Sequence, residues 1–503
     1  MSEALGRRPA EKPTLTGPVP LDDAFDKVLS KTDEERIANL MSARTPEQAD
    51  TVHRMLEALI VQVKEKHIQR NEPLQKSLDR AITRLDTLLT NQLNPILHDK
   101  EFQRVESTWR GLHYLVHQSR TGPNLKIRVL DVNKDDLRDD LLLASEFDQS
   151  GLAKLVYSDE FGTPGGKPYG CLIGDLYFGN NDLDLALLEK IAQVAAAAHA
   201  PFFASADPTL LLMNQFDDLP NRPQLSTIFE GADYARWRSF REKPQAKYVG
   251  LCLPKTLGRL PYGDKTDRVR AFGFTEDVSG DDSKKFLWTN AAWSMGARLT
   301  DSFSRYSWCS MIAGATSGGK VADLPLYTFK ADDGTIAAQC PTEIAITDSR
   351  DGELDRLGLI PLCHYKDTNY AVFFGAQSCY KPREFFDAGS NASEELSADM
   401  LNTLAVSRFA HYLKVIQRDN LNAFREREDV ERELQEWISN YVLIGDNASE
   451  ALKAERPLRS ASITVIGDPA RPGHYKAQMK LRPHFRMKEL LVTIMLVLDN
   501  PAK

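Results

Sequence analysis

The period of the apolar positions changes several times along this chain, and each change predicts a different kind of structure. Residues 1–20, MSEALGRRPAEKPTLTGPVP, have no repeating apolar position and read as a mobile arm. Leu21, Phe25, Val28 and Leu29 then recur at helical spacing, with Asp22, Asp23, Asp26 and Lys27 on the other side, which predicts a short amphipathic helix. Its acidic first turn suits the positive end of a helix dipole. A helix this short is marginal alone in water, so it needs something to dock on. From about residue 47 two longer stripes follow. Val52, Met55, Leu56, Leu59, Ile60 and Val63 form one, and Leu78, Ile82, Leu85, Leu89, Leu93 and Ile96 form the other, with Pro95 near its end. Two such helices pack on each other or on a partner's helices; periodicity alone leaves both open.

Beyond residue 124 strand and helix patterns interleave. LKIRVLDV (125–132) alternates as a strand does, and YGCLIGDLYF (169–178), YVGLCL (248–253), YSWCSMIA (306–313) and AVFFGA (371–376) read as strands. Helices are expected over LALLEKIAQVAAAAHA (185–200) and FLWTNAAWSMGARLTDSF (286–303). This interleaving predicts an α/β core. Residues 378–400 lose the period and gain Pro, Gly, Ser and Asn, which marks a linker and a domain boundary. Two helical stretches, 401–417 and 430–444, and three strand candidates, ASITVI (461–466), HYKAQMKLR (474–482) and LLVTIMLVL (490–498), close the chain. In the second, Tyr475, Ala477, Met479 and Leu481 alternate with polar residues; the third, with Val492, Ile494 and Leu496, is apolar on both faces, as a central strand is. The resulting organisation is a mixed α/β multidomain chain: an arm over 1–49, a helical region over 50–124, an α/β core over 125–377, a linker over 378–400 and a C-terminal domain over 401–503.

Composition narrows the function classes. Apolar residues make up 42% and charged residues 27%, which is ordinary for a globular chain and too apolar for a disordered one. The net charge of −8 shows no basic excess pointing to nucleic acid. Cys171, Cys252, Cys309, Cys340, Cys363 and Cys379 include no C-x-x-C spacing and sit mostly in apolar runs, so buried free thiols in a reducing compartment are expected. Neither a signal peptide nor a membrane-length apolar run is recognisable, and a cytoplasmic location is expected.

No catalytic pattern in the chain is complete. GATSGGK places Gly314, Gly319 and Lys320 as a phosphate loop would. Such a loop needs a hydroxyl next and a helix behind it, whereas Val321 follows and Pro325 interrupts. FGTPGGKPYG (161–170) lacks the dinucleotide spacing and precedes a strand, so it reads as a surface turn. His113 and His117 lie four apart on a helix without a third ligand in phase. Cys363 and His364 are strand neighbours and point to opposite faces, which argues against a nucleophile and base pair. No catalytic residue, cofactor or metal site is expected. What remains concerns partners: the amphipathic arm, and a basic tail in which residues 471–503 carry seven Lys or Arg against Glu489 and Asp499, about +5 in an acidic chain. The tail reads either as a solvated strand face or as a strand that pairs with another subunit.

Long blocks of the chain resemble the TssC/VipB family, the large sheath subunits of type VI secretion systems. They include EFQRVESTWRGLHYLV (101–116), EFGTPGGKPYGCLIGDLYFG (160–179), AAAAHAPFFASADP (195–208), YARWRSFREKPQAKYVGLCLPKTLGRLPYG (234–263) and LWTNAAWSMGARLTDSFSRYSWC (287–309). The likeness continues through CPTEIAITDSRDGELDRLGLIPL (340–362), VSRFAHYLKVIQRD (406–419) and LRPHF (481–485), while TDEERIANLMSARTPEQ (32–48) departs from the family pattern. The resemblance implies a phage-tail-sheath-like fold and a structural role without catalysis. It implies pairing with a small sheath subunit (TssB/VipA), self-assembly into a helical polymer around an Hcp tube, contact with a baseplate, and disassembly by the AAA+ unfoldase ClpV. It assigns Leu21, Phe25, Val28 and Leu29 to unfoldase recognition, and Leu56, Leu59 and Ile82 to helices that pack with the small subunit. Strands carrying Tyr475, Ala477, Met479, Leu481, Val492, Ile494 and Leu496 would link neighbouring subunits, and helices over 420–444 would face the tube. Two alternatives stand beside this reading: the sheath of a contractile phage tail or related particle, made of one chain type, and a nucleotide-dependent enzyme using Gly314–Lys320.

Overall fold

The computed structural model describes residues 74–484 apart from 164, 223, 265, 280–282, 331–335, 420–426, 446–447 and 468–474, together with 496–498 and scattered positions from 45 to 61. The chain divides into two compact units, residues 1–89 and 90–503. The second stripe of the sequence forms helix α1, Leu74–Leu97, with Pro95 in its last turn.

A six-stranded sheet is the centre of the second unit. Its order is β1 (Leu172–Phe178), β2 (Phe202–Ala206), β3 (Val249–Leu253), β5 (Ile360–His364), β6 (Ala371–Phe373), β4 (Lys320–Val321). The pairs from β1 to β5 are parallel, and those of β6 with β5 and β4 are antiparallel. FFASA of β2 and VGLCL of β3 are buried at every position, as strands covered on both faces must be. One face packs on helix α4 (Asp182–Ala197), in a core that includes Leu188, Trp237 and Phe240. The other packs on helix α5 (Ala291–Tyr306), through Met295 and Leu299.

Asn290 joins these layers. Its Oδ1 accepts from Ala292 N (2.8 Å), capping α5, and from Ser205 Oγ of β2 (2.6 Å), while its Nδ2 donates to Leu176 O of β1 (3.3 Å). Outside α5 lies helix α2 (Lys100–Gln118), capped by Asp99 and burying Ser107, Gly111 and Leu115 at four-residue spacing. Glycine lets this face close on Trp293 of α5. A second tie is polar: Arg259 forks onto Glu276 (2.6 and 3.1 Å) and reaches Glu106 of α2 (2.8 Å), which also receives Arg110 (2.7 Å). Burial raises the Glu106 carboxyl, but hydrogen bonds from Arg259 and Arg110 outweigh it and hold the group below its ordinary value.

The C-terminal region is built from helices α7 (Ala388–Ala398), α8 (Met400–Asp419) and α9 (Arg427–Ser439) and a three-stranded antiparallel sheet, β7 (Leu458–Gly467), β8 (Tyr475–Pro483), β9 (Leu496–Leu498). Its core is aromatic. Trp308, just beyond α5, lies 4.5 Å from Phe409 and 5.3 Å from Tyr441, measured between ring centroids. Trp437 packs 5.6 Å from Tyr441, so one indole from the first sheet's helix layer is shared with the C-terminal core.

Several expectations need correction. Residues 125–132 form no strand and join no ladder among the described residues. Residues 306–313 are not a strand: Ser307, in the left-handed region (φ 61°), ends α5, and Ser302 Oγ accepts from Met311 N and donates to Trp308 O. The helix expected from 286 starts at Ala291, because Trp288–Thr289 pair with Thr256–Leu257 and Asn290 is the cap. The stretch 378–400 is no open linker. Cys379 N donates to Val249 O (2.8 Å), and Asp387 caps α7 through Ser390 N. The last strand is an edge among the described residues, and β8 is the central one.

A Cβ on Gly111 would fall 2.2 Å from Trp293 Cδ1, against a rigid ring. Gly111→Ala is expected to destabilise by about 1–3 kcal/mol despite alanine's helix propensity. Urea unfolding measures it, with Gly122→Ala, which meets nothing within 4 Å, as the neutral control.

Candidate assembly surfaces

The loop at 314–320 spends its backbone on itself. Gly314 and Gly318 take positive φ (86° and 95°), Gly319 N and Ser317 N donate to Gly314 O, and Gly314 N donates to Phe373 O (2.7 Å). It leads into β4 rather than a helix, Val321 is buried, and Lys320 Nζ sits 3.9 Å above the Tyr370 ring. Amides committed in this way cannot cradle a phosphate.

His113 and His117 form an exposed ring pair on α2, centroids 4.0 Å apart. Among the described residues no group of three His, Cys, Asp or Glu side chains could hold a metal ion, and no helix is long and apolar enough to cross a membrane. Cys363 Sγ donates to Asp351 Oδ1 (3.3 Å) in one core, while His364 Nε2 meets Thr368 O, so the strand neighbours do diverge. The sequence reading missed that His364 instead meets Cys340, twenty-four positions away and without any local signal. Burial raises the Cys340 thiol, but hydrogen bonds from His364 and Thr342 bring it below its ordinary value. The other thiols are driven up by burial, Cys171 to about 11 and Cys309 and Cys379 to about 12. A second missed group is carboxylic: burial and Asp351 raise Asp355 to about 6, and burial and Asp355 raise Asp399 to about 7.

The strand edges are the surfaces with unspent bonding capacity. β8 is paired on both sides within the chain, and Met479 and Leu481 are buried in the aromatic core, with Ala477 half-buried against it. The outer edge of β7 is occupied by α9: Gln435 Nε2 donates to Ala461 O (3.3 Å), Gln435 Oε1 accepts from Ile463 N (2.9 Å), and Glu431 Oε2 accepts from Val465 N (2.9 Å). Side chains that copy a strand's bonding pattern close that edge. The far side of β9, with Leu496, is the remaining edge of this sheet among the described residues. Ile82 of α1 is exposed, as are Leu85 and Leu88. Leu21, Phe25, Val28, Leu29, Leu56, Leu59, Val492 and Ile494 lie outside the described residues, and the Tyr475 and Leu496 side chains are likewise not described.

A layered α/β unit and a small antiparallel domain fused through shared aromatics, with open strand edges and exposed apolar faces, are the features of an assembly subunit. The chain belongs to the VipB family of tail sheath proteins. Residues 79–380 match its "EvpB/VC_A0108, tail sheath N-terminal domain", and residues 389–499 match its "EvpB/VC_A0108, tail sheath gpW/gp25-like domain". A similar curated protein, the type VI secretion system sheath protein TssC1 of Pseudomonas aeruginosa, is 45% identical over 431 residues, which covers 85% of this chain and 86% of that protein. Weak structural likenesses include a chain of the anti-feeding prophage baseplate (10% identity, TM-score 0.36, 74% of this chain and 82% of that one). Another is the anti-feeding prophage helical sheath in its contracted state (11% identity, TM-score 0.29, 70% and 76%).

Two outcomes follow from the titratable groups. At about pH 8 Cys340 is expected to be alkylated first by iodoacetamide, read by mass spectrometry of tryptic peptides, because the thiolate is the nucleophile. Asp355 and Asp399 keep protons in the folded state that the unfolded chain releases near its ordinary 3.8, so stability falls as pH rises from about 4 to about 7. Asp399→Asn retains a cap for Leu401 N and is expected to flatten that fall, leaving the variant more stable than the parent at about pH 8 in thermal melts.

Proposed function

We propose that this chain is the large subunit of a type VI secretion contractile sheath. The observation that carries the reading is the 45% identity to a type VI sheath protein over 85% of the chain, with both tail sheath domains matched in order. In this reading the chain pairs with a small sheath subunit of the TssB/VipA type, and the pairs wind into a helical polymer around an Hcp tube in the bacterial cytoplasm. The polymer starts on a baseplate and contracts to drive tube and spike into a target cell. The chain itself catalyses nothing: firing draws on a metastable packing of subunits, and the AAA+ unfoldase ClpV hydrolyses ATP to take the contracted sheath apart.

The resemblance to the TssC/VipB family also suggests roles for particular segments. Leu21, Phe25, Val28 and Leu29 form the apolar stripe offered to the unfoldase. Leu56, Leu59 and Ile82 belong to helices of the 50–124 region that pack with the small subunit. Neighbouring protomers are linked by strand addition at the outer edge of β9, because α9 already occupies the outer edge of β7. The exposed face of α9, with Glu428, Arg432 and Glu436, lies toward the tube.

Negative-stain electron microscopy of the chain with and without its small subunit tests the reading. Hollow ridged tubes are expected only on co-expression; tubes from this chain alone would favour a single-component phage-type sheath, and particles without polymer in both cases would refute a sheath role. Deletion of residues 490–503 is expected to leave the subunit pair intact and abolish tubes. Truncation from 474 would not test this, since Met479 and Leu481 belong to the domain's own core.

A further inference from the structure

The segment 126–132 and the free edge of β1 have the form of two strands with the one between them missing. β1 is the edge strand of the central sheet, and none of its first six residues is fully buried, although its neighbours β2 and β3 are buried throughout. Residues 126–132 run alongside it without a backbone hydrogen bond to it. They are held at a distance by long side chains at each end. Arg128 donates to Tyr169 OH (2.9 Å) and pairs with Glu160, and Lys134 Nζ reaches Tyr177 O and Asp184 (both 2.6 Å). These ties join the start of one segment to the start of the other and end to end, so the two run parallel.

The space between them is a cleft of about 2320 Å³. Six exposed apolar side chains line it: Val105 and Trp109 of α2, Val129, Leu130 and Val132 of the segment 126–132, and Leu155. Trp109 is 68% exposed and Val129 65%, which is costly for residues of this size unless another surface covers them. One end of the cleft is basic. Lys167, and after it Arg128, disfavour the charge on Lys126, and neither lysine's ammonium has an ion pair among the described residues.

We propose that this cleft receives a strand from another protein chain. The strand hydrogen-bonds to β1 on one side and to residues 126–132 on the other, is apolar on both faces along its middle, and carries acidic residues at the end beside Lys126 and Lys167. Seven residues of β1 set its length at about six to eight residues, or about 20–26 Å. The insertion turns the unpaired segment 126–132 into the outer strand of an enlarged sheet, and it buries the six apolar side chains together. The choice of the small sheath subunit as probe rests on the function proposed above.

Hydrogen–deuterium exchange of the full chain, alone and co-purified with its small sheath subunit, tests the proposal. Amides of 126–132 and 172–177 are expected to slow together by roughly tenfold or more on pairing. Val129→Asp with Val132→Asp, both exposed, is expected to weaken pairing at least about tenfold while circular dichroism stays unchanged. Lys126→Glu with Lys167→Glu is expected to weaken it at low salt, with the loss shrinking at about 0.5 M salt. A pair that forms with neither segment protected, or with only one, overturns the cleft and leaves the sheath reading standing. Protection already complete in the chain alone overturns it in favour of a second copy or the chain's own arm. Absence of any pair overturns both.

Discussion

An open strand edge is a row of backbone donors and acceptors that must be bonded by water, by the same chain or by another chain. The edges of the second unit have been treated differently. β7 is closed by Gln435 and Glu431 of α9, which offer a side-chain amide and a carboxylate where a neighbouring strand would offer peptide groups. β4 is the short edge of the central sheet, two residues long and followed by an irregular segment. Of the edges of the six- and three-stranded sheets, β1 and β9 remain among the described residues. A protein that must bind copies of itself and its partners in one register, without uncontrolled aggregation, needs this asymmetry of closed and open edges.

The open edges are usable only because what lies behind them is rigid. Asn290 bonds β1, β2 and α5 from one buried amide, so β1 cannot drift from the sheet even with its outer side unpaired. α2, which carries Val105 and Trp109 to the cleft, is pressed on α5 at Gly111 and held by the Arg259–Glu106 pair. At the other end, Trp308 makes the small sheet's core continuous with the layer that follows α5. The small sheet and the layer that follows α5 therefore share one close-packed core of rings, and such cores are stiff.

Much of the central fold was legible because period and burial coincide there. YVGLCL and YGCLIGDLYF are continuous apolar runs since both sheet faces are covered, and the helix expected over 185–200 forms over 182–197, starting earlier than its apolar period suggests because Asn181 caps it. The failures are equally physical. LKIRVLDV has a strand's alternation, but a strand also needs a neighbour, and none of the described residues pairs with it. YSWCSMIA has strand composition because its aromatic and sulfur-bearing residues fill a core, not because they alternate across a sheet. The stretch 378–400 looked like a linker because a capped helix rich in Ala, Ser and Asn shares its composition with a loop.

The chain's residue order alone determined the α/β class and the family, since each depends on residues near one another in sequence. Tertiary structure decided which groups meet across long separations. Arg259 found Glu106, His364 found Cys340, Asp399 found Asp355, and Gln435 closed the edge of β7. It also decided which strand is central and which is exposed, because register and edge are properties of the assembled sheet and a strand's own pattern specifies only its faces.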